Sequence, residues 1–125
     1  SLVIGESHSI GVPIAVAANY SFIVKSATVV IHPVRMTGTI LGTRQTYRQF
    51  RSIQDRIVRF ISEHSRCGEE SIEKMMMDTS MMSSDLGTIL VGEEAVEAGL
   101  IDENGSIDKA WNKLKFICQN KGKMV

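Results

Sequence analysis

The sequence predicts an α/β fold, on three observations. Short apolar runs (Leu2 to Ile4, Phe22 to Val24, Thr28 to Ile31, Thr88 to Val91) alternate with stretches whose apolar residues recur every three or four positions. Turn-forming residues close these segments, among them Gly5, Asn19, Pro33, Gly68 and Gly99. One amphipathic stretch, Arg44 to Ser65, is far longer than a strand. Strands that alternate with helices build layered α/β domains.

Taken in order, Leu2 to Ile4 reads as a buried strand that ends at Gly5. A chain opening inside such a strand, with no Met before it, is expected to lack residues upstream. From Ser9 the spacing of Ile10, Pro13, Ile14, Ala17 and Ala18 is helical, with Pro13 tolerable in a first turn. Phe22 to Val24 and Thr28 to Ile31 follow as strands, the second stopping at His32-Pro33. Val34 to Leu41, rich in Gly, Thr and β-branched residues, fits either a strand or a mobile connection. In the long helix, Tyr47, Phe50, Ile53, Ile57, Phe60 and Ile61 form one apolar stripe, and Thr43 can cap its start. At this length it spans roughly 30 Å and should project beyond a core of this size. Glu69 and Glu70 suit the first turn of a second helix, running to Met77. A loop from Asp78 to Asp85 then leads to the strand Thr88 to Val91. A short helix, Glu93 to Ala98, ends at Gly99, Leu100-Ile101 reads as a brief strand, and a last helix covers Ile107 to Asn120.

Composition narrows the function without naming it. The chain has 125 residues, 43% of them apolar, enough for one domain with a core. Lys plus Arg number 14 and Asp plus Glu 14, which argues against a nucleic-acid binder relying on bulk positive charge. Locally the balance fails. Arg35 to Arg66 is arginine-rich, Glu69 to Asp108 is acidic with Lys74 its sole base, and Lys109 to Lys123 is basic. Such blocks suit surfaces that meet in an oligomer as well as solvated faces. Cys67 and Cys118 lack metal-ligand spacing and fit a reducing, cytoplasmic setting. No apolar run reaches the roughly 18 residues of a membrane helix.

Chemistry concentrates in two places. Gly5-Glu6-Ser7-His8-Ser9-Ile10-Gly11 lies where a strand passes into a helix. Small residues there permit a sharp turn that exposes a hydroxyl, and the N–H groups opening a helix can stabilise an oxyanion. Either Ser7 or Ser9 can be the nucleophile, and Ser9 is better placed because it opens the helix. His32 ends an apolar strand and is held extended by Pro33, a setting suited to a general base. His8 and His64 are poorer candidates, and no paired spacing suggests a metal. Asp85 and Asp78, each in a loop, can orient the imidazole or act as simple turn caps.

Gly5 to Gly11, Val29-Val30-Ile31-His32-Pro33 and Glu94-Ala95-Val96-Glu97-Ala98-Gly99-Leu100-Ile101-Asp102 occur in that order around the long helix. Together they closely resemble the Clp protease proteolytic subunit (ClpP) family of serine peptidases. Ser7 to Arg35 looks most like its translocation-enhancing (TepA) branch. The resemblance implies a ClpP/crotonase-like fold of repeated β-β-α units with the N-terminal part missing, residues 1–125 being the C-terminal part of a single peptidase domain. It places the nucleophile at Ser9, the base at His32 and one oxyanion donor at the Ile10 N–H. Val34, Met36, Thr37 and Gly38 fall on the strand along which family members align substrate peptides, and Arg44 to Ser65 on the inter-ring handle.

The acid departs from the family pattern. Counting back from Glu94 lands on Gly87, so Asp85 is the nearest candidate, and Asp78 fits a count forward from Ile72-Glu73. The expected activity is metal- and nucleotide-free peptide hydrolysis through an acyl-enzyme, in a homo-oligomeric ring. Peptides or unfolded proteins are the expected substrates, with an energy-dependent (AAA+) unfoldase as partner. A non-catalytic assembly or adaptor subunit of the same fold is the alternative, and a crotonase-like acyl-CoA enzyme a third.

Overall fold

The computed structural model describes residues 1–80 and 86–121. Its elements are β1 (Leu2–Val3), β2 (Glu6–His8), α1 (Gly11–Val16), β3 (Phe22–Ile23), β4 (Thr28–Ile31), α2 (Arg44–Glu63), α3 (Glu69–Met76), β5 (Thr88–Val91), α4 (Glu93–Glu97), β6 (Glu103–Asn104) and α5 (Ile107–Lys121). The α/β expectation therefore holds. The described strands form two three-stranded sheets, ordered β1-β3-β6 and β2-β4-β5. All pairings are parallel except β4 with β5, which is antiparallel and sets Ile31 opposite Thr88. The β1–β3 and β2–β4 pairs are each joined by a crossover that includes α1, whereas β3 meets β6 only after the chain has passed through α2, α3, β5 and α4.

Three local expectations change. Glu6 to His8 is a strand, not only a turn, pairing with Thr28 to Val30 while Ser7 alone faces inward. Its polar residues hide the pattern, because an edge strand needs only one buried position here. The helix after it starts at Gly11 rather than Ser9. Leu100 and Ile101 are buried but unpaired, and the strand lies just beyond them at Glu103–Asn104.

The core runs between the sheets and α1, α2 and α3, with Val12, Val16, Ile23, Val29, Ile31, Val58, Ile61, Ile72, Leu100 and Ile101 fully enclosed. Helix α2 begins as expected, the Thr43 hydroxyl accepting from the Thr46 N–H. Only its C-terminal half packs on the core. Val58 and Ile61 are buried, whereas Tyr47, on the same stripe, is 70% exposed. The N-terminal half thus projects from this chain, as its length anticipated. The motif Glu94 to Asp102 proves to be a clamp. Ala95, Leu100 and Ile101 are buried, and the Asp102 carboxylate accepts from both the Ser21 N–H (2.8 Å) and the Ser21 hydroxyl (2.9 Å). The Ser21 oxygen in turn accepts from the Asp102 N–H (3.0 Å). No described helix is long and apolar enough to cross a membrane.

Candidate active site

Strand β2 carries the chain to Ser9, where it must reverse into α1. Ser9 makes that turn with φ 55°, and no other described non-glycine residue has positive φ. An L-residue in the left-handed region costs about 1–2 kcal/mol, so neighbouring bonds must hold it there. They do: the Ser9 N–H donates to the Val30 carbonyl (3.0 Å), and the Ser9 carbonyl accepts from the Val12 N–H (3.1 Å). The side chain is left exposed and its hydroxyl has no partner among the described residues. This strained strand-turn-helix presentation of a serine is the arrangement of a nucleophile elbow.

Ser7 is placed differently. It is buried beneath the start of α1, and a β-carbon at Gly11 would come within 2.9 Å of its hydroxyl oxygen. Gly11 therefore lets the helix close over Ser7, and the two serines separate into an enclosed one and a presented one. The N–H of Ile10, between Ser9 and the helix, has no acceptor among the described residues.

His32 follows β4 directly and is half-buried. Its Nδ1 lies 2.7 Å from the Pro33 carbonyl oxygen. A carbonyl only accepts, so this bond puts a proton on Nδ1, and in the neutral ring the lone pair is then on Nε2, the form a general base needs. The same Pro33–Val34 peptide is held from its other side, where the Val34 N–H donates to Oε1 of Gln54 on α2 (3.2 Å). Ser9 and His32 line one cavity of about 230 Å³ with Ile10 and Val34. Its apolar walls include Ile31, Ile57, Ile61 and Met76, wide enough for one medium-sized apolar side chain.

The expected acids are not brought to His32 by the described residues. Asp85 lies outside them. Asp78 is spent on its own turn, accepting from the Ser80 N–H (2.7 Å). That hydrogen bond, more than any other influence, holds its carboxyl below the usual aspartate range. Facing His32 instead is Gly87, fixed by the Asp78 carbonyl, which accepts from the Gly87 N–H (2.8 Å). Thr88, donating to the Met75 carbonyl (2.7 Å), ties the start of β5 to α3. Residues 33–37 form neither helix nor strand, and Gly38 turns the chain with φ 122°. The main-chain groups of Met36, Thr37 and Gly38 make no hydrogen bonds among the described residues, whereas the Val34 N–H is taken by Gln54. Among the described residues no cluster of His, Cys, Asp or Glu has the makings of a metal site.

The main-chain carbonyl of Pro33 and the amide of Gln54 escape sequence reasoning. A carbonyl leaves no mark on residue type. Gln54 is visible only as a polar residue three before Ile57 and seven before Ile61, on the packed face of an amphipathic helix.

Residues 1–106 match the Clp protease family. This chain belongs to that family. It is also 50% identical, over 121 residues, to the translocation-enhancing protein TepA of Halalkalibacterium halodurans. That alignment takes in 97% of this chain and 47% of the relative, so the chain spans about half the length of the curated protein it matches. The Clp protease match extends across both sheets, the elbow, His32 and the Ser21–Asp102 clamp, and stops where α5 begins.

Proposed function

We propose that this chain carries the catalytic half of a serine endopeptidase. Ser9 attacks the peptide carbonyl, and Nε2 of His32 takes the hydroxyl proton and returns it to the leaving amine. Water then cleaves the acyl-enzyme by the same route in reverse. The Ile10 N–H supplies one donor to the oxyanion. The free main-chain groups of Met36, Thr37 and Gly38, with Val34 beside the cavity, line up the substrate peptide, and the cavity takes an apolar side chain next to the scissile bond. The single observation that carries this reading is the strained, outward Ser9 sharing a cavity wall with an imidazole whose Nδ1 is already bonded to a carbonyl.

The third member of the triad is assigned to Asp85, and its contribution is measurable. Asp85→Asn lowers turnover about 10⁴-fold if the carboxylate stabilises the imidazolium, and only a few-fold if the Pro33 carbonyl suffices. Unfolded proteins or peptides are the substrates, in a cytoplasmic homo-oligomeric ring supplied by an unfoldase. The arginine-rich and acidic blocks of the chain are suited to meeting between copies.

One observation favours a second reading, a non-catalytic assembly or adaptor subunit. Gly87, with no carboxylate, stands against His32. Fluorophosphonate labelling of the full-length subunit, read by intact mass, separates the two. A peptidase takes one label per chain, lost in Ser9→Ala and kept in Ser7→Ala. An assembled, well-folded subunit that takes no label is an adaptor.

A further inference from the structure

We infer that Gln54 is a positioning residue for His32, acting through the Pro33–Val34 peptide; this deepens the Ser9–His32 reading and rests on it. The acceptor of His32 Nδ1 belongs to a proline, Pro33. Its ring fixes φ, so the direction of the Pro33 carbonyl depends on one free dihedral, the ψ of Pro33. The peptide that follows is planar, so its C=O and N–H turn together and point in opposite directions. Holding the N–H therefore aims the carbonyl. Gln54 holds it: its Oε1 accepts from the Val34 N–H at 3.2 Å, while on the opposite edge the Pro33 oxygen accepts from His32 Nδ1 at 2.7 Å. The three groups form a chain from α2 to the imidazole, and hydrogen bonds in such chains strengthen one another.

The location argues for this role as well. Gln54 is half-buried on the helix face that also sends Ile57 and Ile61 into the cavity wall. A polar amide on a packed face is costly unless it is bonded, and the Oε1 of Gln54 is spent on the peptide that carries the His32 acceptor. Movement of the projecting helix α2 would thus reach His32 by a path of two hydrogen bonds, without displacing Ser9, which is held by β4.

The test uses the full-length subunit, ¹⁵N-labelled at histidine, with Gln54→Met, Gln54→Leu and Gln54→Glu. The imidazole nitrogen shifts of His32 at a pH where the ring is neutral report its tautomer, and the fluorophosphonate labelling rate reports the reactivity of Ser9. We expect the Nδ1–H tautomer to dominate in the parent. Gln54→Met, close in shape but without an acceptor, should give mixed tautomers and labelling slowed roughly tenfold, the loss of about one net hydrogen bond. Gln54→Glu keeps an acceptor and should restore both readouts. If Gln54→Met, or Gln54→Leu should the first not fold, leaves the tautomer and the rate as in the parent, the inference is wrong. It is equally wrong if Gln54→Glu loses as much as Gln54→Met. A parent that takes no label at Ser9 removes the peptidase reading, and the tautomer measurement still decides the role of Gln54.

Discussion

Gly87 is packed against His32. A β-carbon at position 87 would stand 2.9 Å from the His32 Cβ and 2.6 Å from the Ile31 carbonyl oxygen, and the backbone there holds φ 138°. The residue packed against His32 Cα and Cβ, just ahead of β5, is therefore one that admits no side chain, let alone an acid. The position is fixed from both sides, by the pairing of Ile31 with Thr88 and by the bond from the Gly87 N–H to Asp78. Whatever orients His32 reaches it from elsewhere, and the Pro33 carbonyl already does.

Placing an acid at that position should accordingly harm the protein without completing a triad. Gly87→Asp combines left-handed strain with overpacking against His32, for a loss of about 2–5 kcal/mol. Chemical denaturation should show that loss, and fluorophosphonate labelling should fall rather than rise. Labelling that increases in a stable Gly87→Asp protein would mean that the backbone of β5 yields and that the position can host the acid.

The strain at Ser9 gives a stability–function trade-off. Ser9→Gly removes the penalty at φ 55° and should raise stability by up to about 1 kcal/mol, the gain reduced by the extra chain entropy of glycine when unfolded. It also removes the hydroxyl and abolishes labelling. Ser9→Ala abolishes labelling as completely but keeps the strain, so its melting temperature should lie below that of Ser9→Gly.

The clamp between Ser21 and Asp102 is structural, and its loss should appear in stability. Asp102→Ala strands the buried Ser21 N–H and hydroxyl, at a cost of about 2–3 kcal/mol. Asp102→Asn retains an acceptor oxygen and should lose about half as much. Equal melting temperatures for parent and Asp102→Ala would show that water replaces the carboxylate without penalty.

The two thiols should react very differently. Cys67 is buried, and burial pushes its pKa up, whereas Cys118 is exposed. An aromatic disulfide reagent at pH 7.5 should titrate one thiol per native chain, Cys118, and two after denaturation. The raised pKa also fixes a direction with pH. The folded state holds this proton more tightly than the unfolded one, so the contribution is intact below the ordinary thiol pKa, near 8.5, and is lost as pH rises above it. Cys67→Ser should flatten that alkaline loss of stability.

Much of the fold was legible in the residues because it rests on local patterns. The stripe from Tyr47 to Ile61 marks an amphipathic helix, Thr43 its cap, and Gly99 the stop after α4, all of which the structure bears out. Glu6 to His8 was not legible as a strand, since its pairing partner, β4, lies twenty residues on and supplies the hydrogen bonds that its side chains do not advertise. Leu100 and Ile101 carry a strand's composition but no partner. They are buried by the clamp instead, and the pairing passes to Glu103–Asn104.

By itself, then, the sequence determined the α/β class, the kinship and the pair of residues worth testing, Ser9 and His32, because those follow from residue type and short-range spacing. The tertiary structure added why Ser7 is withdrawn and Ser9 presented, since the closure of α1 over Ser7 at Gly11 is not written in residue type. It alone shows what packs on His32 and what its Nδ1 bonds. Gly87, the Pro33 carbonyl and Gln54 come from the residue before β5, a main-chain turn and α2, and hydrogen bonds made by backbone groups across such distances are written in the packing of elements, not in the order of residues.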